Sequence, residues 1–389
     1  MITKDLPRKT IVEFYDSVFP QDLATPGLKP FYKDCKNAIC LASSDEYAPF
    51  ASVVIASICA NASEDEFYDI VLLSKDMTLV NRKILLEIVK DNANVSLRFV
   101  IVSEFIKNLN LYVWGPFTVD TYIRLLIPQI FKNFSKVLYL DSDVVVNEDV
   151  SHLIKINLDG YFMAATFDTH VISYCNSRID YPKYNTEKLG LKNPEEYYQM
   201  GVALYNIFLI NKSFSSGYLI DQAKDSNLTW LDQDLLNKLF IGKIKKIENK
   251  WNVMVFNSYP YADEFYLPNS YKDEYVKARE NPHIIHYIGK SMPCFVLHPD
   301  LFTIFWKYAR LSPYYEILLQ KMSLNAAHRY NLQKDLDSIQ NSDFFKRANK
   351  YSKLSRKIFK YKVLSFITFG FISKFKDRKH YYKNLRKSV

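Results

Sequence analysis

Short, nearly unbroken apolar runs alternate along this chain with longer stretches in which apolar residues recur every three or four positions. The runs at 37–43 (NAICLAS), 68–74 (YDIVLLS), 95–102 (VSLRFVIV) and 136–141 (KVLYLD) are rich in β-branched and large apolar residues. They predict strands buried on both faces, the habit of a parallel sheet covered by helices. Between them, 49–61 (PFASVVIASICAN), 79–92 (LVNRKILLEIVKDN) and 118–131 (TVDTYIRLLIPQIF) predict helices. Further strands are predicted at 161–166, 201–207 and 283–288, and a helix at 231–240. From Val171 to Tyr198 the periodicity gives way to Tyr, Asn and charge, which predicts a long loop of the kind that serves as a lid. After Pro299 helical patterns continue without strands. The rhythm as a whole is that of an α/β protein.

Composition supports a large core: 48% of the 389 residues are hydrophobic and 24% are charged, which excludes wholesale disorder. The five cysteines form no C-x-x-C pair and are odd in number, so neither a disulfide framework nor a zinc cluster is expected, and a reducing compartment is the simplest reading. The first residues, MITKDLPRKTIVEFYD, are charged throughout, so a secretory signal is not expected. Near the other end the run Val363–Ser373 has 11 residues, short of the roughly 18–20 a spanning helix needs.

Charge divides the chain unevenly. Residues 346–389 carry 15 Lys/Arg and one acid, Asp377, whereas residues 1–345 carry 36 basic and 41 acidic residues. A slightly acidic body with a basic, aromatic tail fits a catalyst with an electrostatic membrane anchor better than a nucleic-acid binder. Base-reading motifs are lacking, and no nucleic-acid partner is expected. The division expected is an N-terminal extension at 1–36, an α/β domain at 37–298, a helical region at 299–345 and a basic aromatic tail at 346–389.

Asp141-Ser142-Asp143 follows the apolar run KVLYL and precedes VVV. Among 27 aspartates, D-x-D triplets arise by chance, and three occur, so context decides. Asp335 and Asp337 fall in a polar helical pattern and read as solvated surface. Side chains two apart on a strand project together, which would place Asp141 and Asp143 side by side at a strand's carboxyl end. Paired carboxylates there suit a hard divalent cation that bridges to phosphate oxygens, and unpaired they would be costly.

The segments LASSDEYAPFASVVIASI (41–58), TYIRLLIPQIF (121–131), KVLYLDSDVVVNEDVSHLIKINLDG (136–160), AATFD (164–168), YYQMGVALYNI (197–207), WLDQDLLNKLFIGKIKKIENKWNVM (230–254) and HIIHYIGKSMP (283–293) together resemble glycosyltransferase family 8. These are retaining, nucleotide-sugar-dependent enzymes with a GT-A fold, a Rossmann-like, mostly parallel sheet. Beyond these, HPDLFTIFWKYARLSPYYE (298–316) and KYKVLSFITFGFISKFKDRKHYYK (360–383) resemble the carboxyl region of lipopolysaccharide core glucosyl- and galactosyltransferases. The resemblance implies a catalytic domain over 37–298. It also implies that Asp141, Asp143 and His286 bind Mn²⁺ or Mg²⁺, and that Arg124 lies near the donor. Ser43, Ser44, Asp45 and Tyr47 would hold the uridine, Tyr47 by stacking, although Ser44 stands where the family has Asp. Ser142, Gly289 and Lys290 would border the diphosphate. Asp168, Gln199, Asp232 and Gln233 map to the sugar side, with Gln199 in place of the usual Asn and Met200 in place of a small residue. Met292 replaces the family's phosphate-binding lysine, and Lys290 is positioned to supply that charge instead.

What the resemblance implies is a metal-dependent hexosyltransferase that moves glucose or galactose from a UDP-sugar to a lipopolysaccharide core or other lipid-linked glycan. Its place would be the inner face of the cytoplasmic membrane. The amide Gln233 is a poor nucleophile, which favours same-face attack over double displacement. Other acceptors on the same fold, namely capsule, protein or the enzyme itself, stay open, as does a non-catalytic binding protein.

Overall fold

The computed structural model describes residues 27–33, 35–103, 106, 109–115, 117–224, 227–255, 266–296 and 301–327. The chain divides into two compact units, Met1–Leu319 and Gln320–Val389. In the second, the described residues 320–327 are helical.

The first unit is built on strands β1 (Asn37–Ala42), β2 (Tyr68–Ser74), β3 (Val95–Ile101), β4 (Lys136–Leu140), β5 (Val144–Val146), β6 (Met163–Phe167), β7 (Tyr198–Asn206), β8 (Ile244–Lys246), β9 (Val253–Val255) and β10 (Ile284–Tyr287). Seven of them form one sheet in the order β3-β2-β1-β4-β7-β6-β8, and β5-β10-β9 form a second. β3, β2, β1 and β4 run parallel. β7 is antiparallel to both of its neighbours, β4 and β6. The apolar runs are unbroken because both faces of the large sheet are covered. Ile39, Leu41, Ile70, Leu72, Leu138 and Leu140 join one buried cluster, and the alternate residues Ala38, Cys40, Val71, Leu73, Val137 and Tyr139 join the other. This is the GT-A architecture expected from the sequence.

Helix α1 (Ala48–Asn61) is buried along Ala48–Ile58 and begins with Pro49 in its first turn, where a missing N–H costs nothing. Helix α2 (Leu79–Val89) starts at Thr78, whose hydroxyl accepts the amide of Asn81. Because the chain leaves β1 towards β2 on one side while β4 lies on the other, the strand order reverses between β1 and β4. A crevice therefore opens at their carboxyl ends, the place where open α/β sheets bind ligands.

Three expectations change. The predicted helix at 118–131 is a 3₁₀ segment, Val119–Leu126, followed by one turn of α-helix, Ile127–Ile130. The predicted loop at 171–198 is largely helical: α3 (Thr169–Ser177), α4 (Asp180–Lys183) and a π-turn at Tyr184–Lys188. Its few apolar residues, among them Val171, Ile172, Tyr181, Leu189 and Leu191, are buried, so packing fixes helices that the polar composition obscured. Finally, the pair does lie at the carboxyl end of β4, but β4 ends at Leu140 and Asp141–Asp143 form the turn that leads into β5 rather than continuing the strand. Strand alternation does not bring the two carboxylates together; the turn does.

Candidate active site

The turn after β4 delivers Asp141 and Asp143 to the crevice, and β10 delivers His286 from the second sheet. One ligand atom from each of the three lies within 4.8 Å of the others. His286 Nε2 is 3.0 Å from Asp143 Oδ1 and 3.8 Å from Asp141 Oδ2. Burial works against a charged imidazole here, but the carboxylates of Asp143 and Asp141 outweigh it and raise the His286 pKa. Two carboxylate oxygens and an imidazole nitrogen converging on one point form a donor set suited to Mn²⁺ or Mg²⁺. Gly201, on β7, confirms how closely the trio is packed. A Cβ built there would lie 2.3 Å from His286 Cε1 and 2.4 Å from Asp141 Oδ2.

Arg124, from the 3₁₀ segment, spans the site. Nη2 lies 3.2 Å from Asp141 Oδ1, Nε lies 2.7 Å from Asp232 Oδ2, and Nη1 donates to the Met200 carbonyl at 2.7 Å. The Asp232 contact is ionic rather than a linear hydrogen bond, since neither atom meets hydrogen-bond geometry. The guanidinium also stacks 4.8 Å over Tyr139, whose hydroxyl donates to Asp141 Oδ1 at 2.6 Å. Asp232 is 1% exposed, and burial pushes its pKa up to about 7 against the opposing pull of Arg124.

Beyond two short helical segments, Ile207–Ser213 and Tyr218–Lys224, comes helix α5 (Leu231–Leu239), with Asp232 and Gln233 in its first turn. Gln233 is half-buried and bridges two strand ends. Its Oε1 accepts the Met200 amide and its Nε2 donates to Asp168 Oδ2, both at 3.0 Å. Asp168 caps α3, accepting the amides of His170 and Val171 on Oδ1 at 3.0 Å. Burial raises its pKa. Asp234, which closes the D-x-D at 232–234, accepts from Tyr184, Tyr197 and the Trp230 amide and is a structural anchor.

The remaining sequence candidates fall along the rim. Ser43 is buried at the start of the β1–α1 loop, and Ser142 Oγ ties the Asp141–Asp143 turn to the end of β1 by donating to the Ala42 carbonyl at 2.6 Å. Asp45 Oδ1 accepts the Thr78 amide and the Asn81 side chain, which holds the loop against the start of α2 and depresses the Asp45 pKa despite burial. Ser44 is half-buried. Tyr47 is 46% exposed, its ring edge-on to Phe50, and burial of its hydroxyl, reinforced by the Asp143 charge, raises its pKa. Gln199 is buried with its Oε1 engaged by Gly201 and Asn252. Gly289 takes a left-handed conformation at φ 62° and opens the turn Gly289–Ser291. The Lys290 backbone lies in that turn, and its side chain lies outside the described residues. Met292 is buried at 3% exposure.

Sequence reasoning missed Gly201, Asn252 and the phenol of Tyr139. An isolated glycine inside the apolar run of β7 signals a close approach of another group, and that is what Gly201 permits.

Residues 38–293 match the profile of "Glycosyl transferase family 8". GlyB of Streptococcus pneumoniae serotype 4 is 26% identical over 288 residues, 72% of this chain and 63% of GlyB. A lipopolysaccharide 1,3-galactosyltransferase of Salmonella typhimurium is 27% identical over 184 residues, 45% of this chain and 49% of that protein. The chain thus spans less than two thirds of the length of either relative. Among solved structures, the bifunctional glycosyltransferase WbbM superposes with a TM-score of 0.70 at 27% identity, over 76% of this chain and 53% of that one. The galactosyltransferase LgtC, solved with donor and acceptor sugar analogs, shares the fold with a TM-score of 0.55 at 23% identity, over 71% of this chain and 96% of its own.

Proposed function

The chain belongs to glycosyl transferase family 8, and we propose that it transfers a glucosyl or galactosyl group from a UDP-sugar to a saccharide acceptor with retention of configuration. The observation that carries this reading is the convergence of Asp141, Asp143 and His286 beside the Arg124–Asp232 pair, with the amide of Gln233 next to them. Asp141, Asp143 and His286 are the residues that would hold Mn²⁺ or Mg²⁺. When bound, the ion would neutralise charge developing on the departing diphosphate. Lys290, on the turn opened by Gly289, is proposed as the basic group on the same phosphates, because buried Met292 offers none. Ser43, Ser44, Asp45 and Tyr47 form the proposed nucleoside rim, the exposed Tyr47 ring facing the base.

At the sugar, Gln233 is held from both ends of its amide, by Met200 N–H and by Asp168, so it is oriented but not nucleophilic. Asp232 is committed to Arg124 and serves to fix that guanidinium. With no free carboxylate nucleophile among these groups, the acceptor oxygen attacks C1 on the face the phosphate leaves. The C1–O(phosphate) bond breaks as the new C1–O bond forms, and the hydroxyl proton passes to the departing phosphate oxygen. Preorganised charge around the leaving group is the dominant source of rate in such a transfer.

The proposed acceptor is a lipopolysaccharide or lipooligosaccharide core, or another lipid-linked glycan, in keeping with the name of the Salmonella relative. Peripheral attachment to an anionic cytoplasmic membrane face through residues 346–389 is part of this reading, and those residues lie outside the described ones. Among the described residues no helix is long and apolar enough to cross a membrane. The test is to incubate the protein with UDP-glucose or UDP-galactose, Mn²⁺ and core oligosaccharides, and to follow UDP release and the anomeric configuration of the product. An α-linked product supports the reading. Absence of UDP release with both donors, in Mn²⁺ and in Mg²⁺, overturns it.

A further inference from the structure

Behind the carboxylate–imidazole trio runs a line of buried side chains: Gln199, Asn252 and His286, exposed by 7%, 3% and 2%. Gln199 Oε1 accepts the Gly201 amide at 2.7 Å and the Asn252 Nδ2 at 2.7 Å, and Asn252 Oδ1 lies 3.1 Å from His286 Nδ1. The polarity of this line follows from its one unambiguous member. A backbone N–H only donates, so the Gln199 atom facing Gly201 is the carbonyl oxygen. That oxygen also faces Asn252, which must present its NH₂ there and turn its own oxygen towards His286. Nδ1 of His286 therefore carries a proton, and Nε2 is the atom left to face Asp143 and Asp141.

We infer that Gln199 and Asn252 are positioning residues that fix the tautomer and ring orientation of His286, so that Nε2 is preset as the ligand of a divalent cation. The inference rests on the metal-dependent reading above and reassigns Gln199. Sequence position puts this residue on the sugar side, yet its oxygen is committed to Gly201 and Asn252. Its length has a physical rationale, since an Asn at this position would end one methylene short of the Asn252 amide. Partners of this kind on the non-ligating nitrogen typically change metal affinity about 10–100-fold when removed.

The experiment titrates Mn²⁺ into donor-free wild-type protein and into Gln199→Met, Asn252→Leu and Gln199→Glu, reading free Mn²⁺ by electron paramagnetic resonance. Gln199→Met and Asn252→Leu remove links at similar volume and should weaken Mn²⁺ binding about 10–100-fold. Gln199→Glu keeps an acceptor for both amides and should bind at least as tightly as wild type. In parallel, the long-range ¹H–¹⁵N spectrum of ¹⁵N-histidine-labelled, Mg²⁺-loaded wild-type protein should place the His286 proton on Nδ1. Equal affinities across all four proteins overturn the relay while leaving the metal site intact, and a proton on Nε2 overturns the relay together with the assignment of Nε2 as the ligand atom. Failure of the wild type to bind Mn²⁺ overturns the metal site and the relay together. Should the Met and Leu variants melt below the titration temperature, a loss of Mn²⁺ affinity in Gln199→Glu, or the wild-type spectrum alone, is sufficient to reject the relay.

Discussion

Arg124 Nε stands 2.7 Å from Asp232 Oδ2, joining the 3₁₀ segment before β4 to the first turn of α5 across the strand that carries Met200. Asp232 has almost no exposure, so this pair cannot lean on water. Removing one partner of a buried pair leaves the other charge uncompensated, at a cost of about 3–5 kcal/mol, whereas removing both is far milder. Above pH 7, where Asp232 is charged, Arg124→Leu should therefore destabilise by that amount in denaturant melts, and Arg124→Leu combined with Asp232→Leu should cost less than the sum of the two single variants. The pair also sets a pH dependence. Because the folded-state pKa of Asp232 is raised to about 7, above the value of about 3.9 for an unfolded chain, the native state holds the extra proton between roughly pH 4 and 7. The contribution of this group to stability falls as pH rises through that window. Asp232→Asn should flatten that slope, read as melting temperature against pH for the two proteins.

Asp143→Asn preserves shape and removes one charge from the donor set that includes His286 Nε2 at 3.0 Å. Loss of one preorganised electrostatic group typically lowers turnover by about 10²–10³. Transfer should drop by at least about 100-fold. EDTA should abolish wild-type activity and Mn²⁺ should restore it. Activity in EDTA within a few-fold of the untreated enzyme would show that the carboxylates act without a cation.

Gly201→Ala tests the packing of the same site from behind. The added methyl would meet His286 Cε1 at 2.3 Å and Asp141 Oδ2 at 2.4 Å, and both belong to anchored groups with little room to retreat. The variant should fold, because β7 keeps its ladder to β4 and β6. It should lose Mn²⁺ affinity by at least about 10-fold, the scale of a displaced ligand shell. Isothermal titration with Mn²⁺, alongside circular dichroism, separates the two effects.

How much of this was legible beforehand depended on sequence distance. β1 to β4 were readable because parallel strands covered on both faces leave unbroken apolar runs. β5, β8 and β9 were not, being three residues each, too short for any periodicity. Asp141, Asp143, Arg124 and His286 stood out by residue type and family resemblance. Their mutual geometry did not, because it depends on a turn between strands and on a second sheet. Asn252 and Gly201 carry no reactive group, and their roles exist only where β7, β9 and β10 meet. The helices at 169–188 were masked by composition, since a few well-spaced apolar residues fixed them amid Tyr, Asn and charge.

Lys290 is the basic residue nearest in sequence to the position at which Met292 is buried. If it has taken over the phosphate contact, Lys290→Ala should weaken UDP binding by about 1.5–3 kcal/mol, the range for a hydrogen bond to a charged group. Calorimetry with UDP in saturating Mn²⁺ measures this directly. An unchanged affinity would remove Lys290 from the donor site.

The tail prediction rests on charge and length together. The run Val363–Ser373 holds 11 residues, enough to dip into a membrane interface, and is followed by Lys374, Lys376, Arg378 and Lys379. Each basic residue near an anionic surface contributes about 1 kcal/mol, so four of them decide whether a weakly apolar segment stays bound. Reversing these four residues to Glu should abolish co-sedimentation with phosphatidylglycerol-rich vesicles at physiological salt. It should also cut transfer to a vesicle-embedded acceptor, while transfer to a short soluble saccharide continues at the wild-type rate, because the residues proposed for catalysis and donor binding all lie within residues 43–290. Raising the salt should weaken wild-type binding steeply, as expected when the Debye length shrinks from about 8 Å to about 3 Å. Equal vesicle binding by the two proteins would place membrane attachment, if any, elsewhere on the chain.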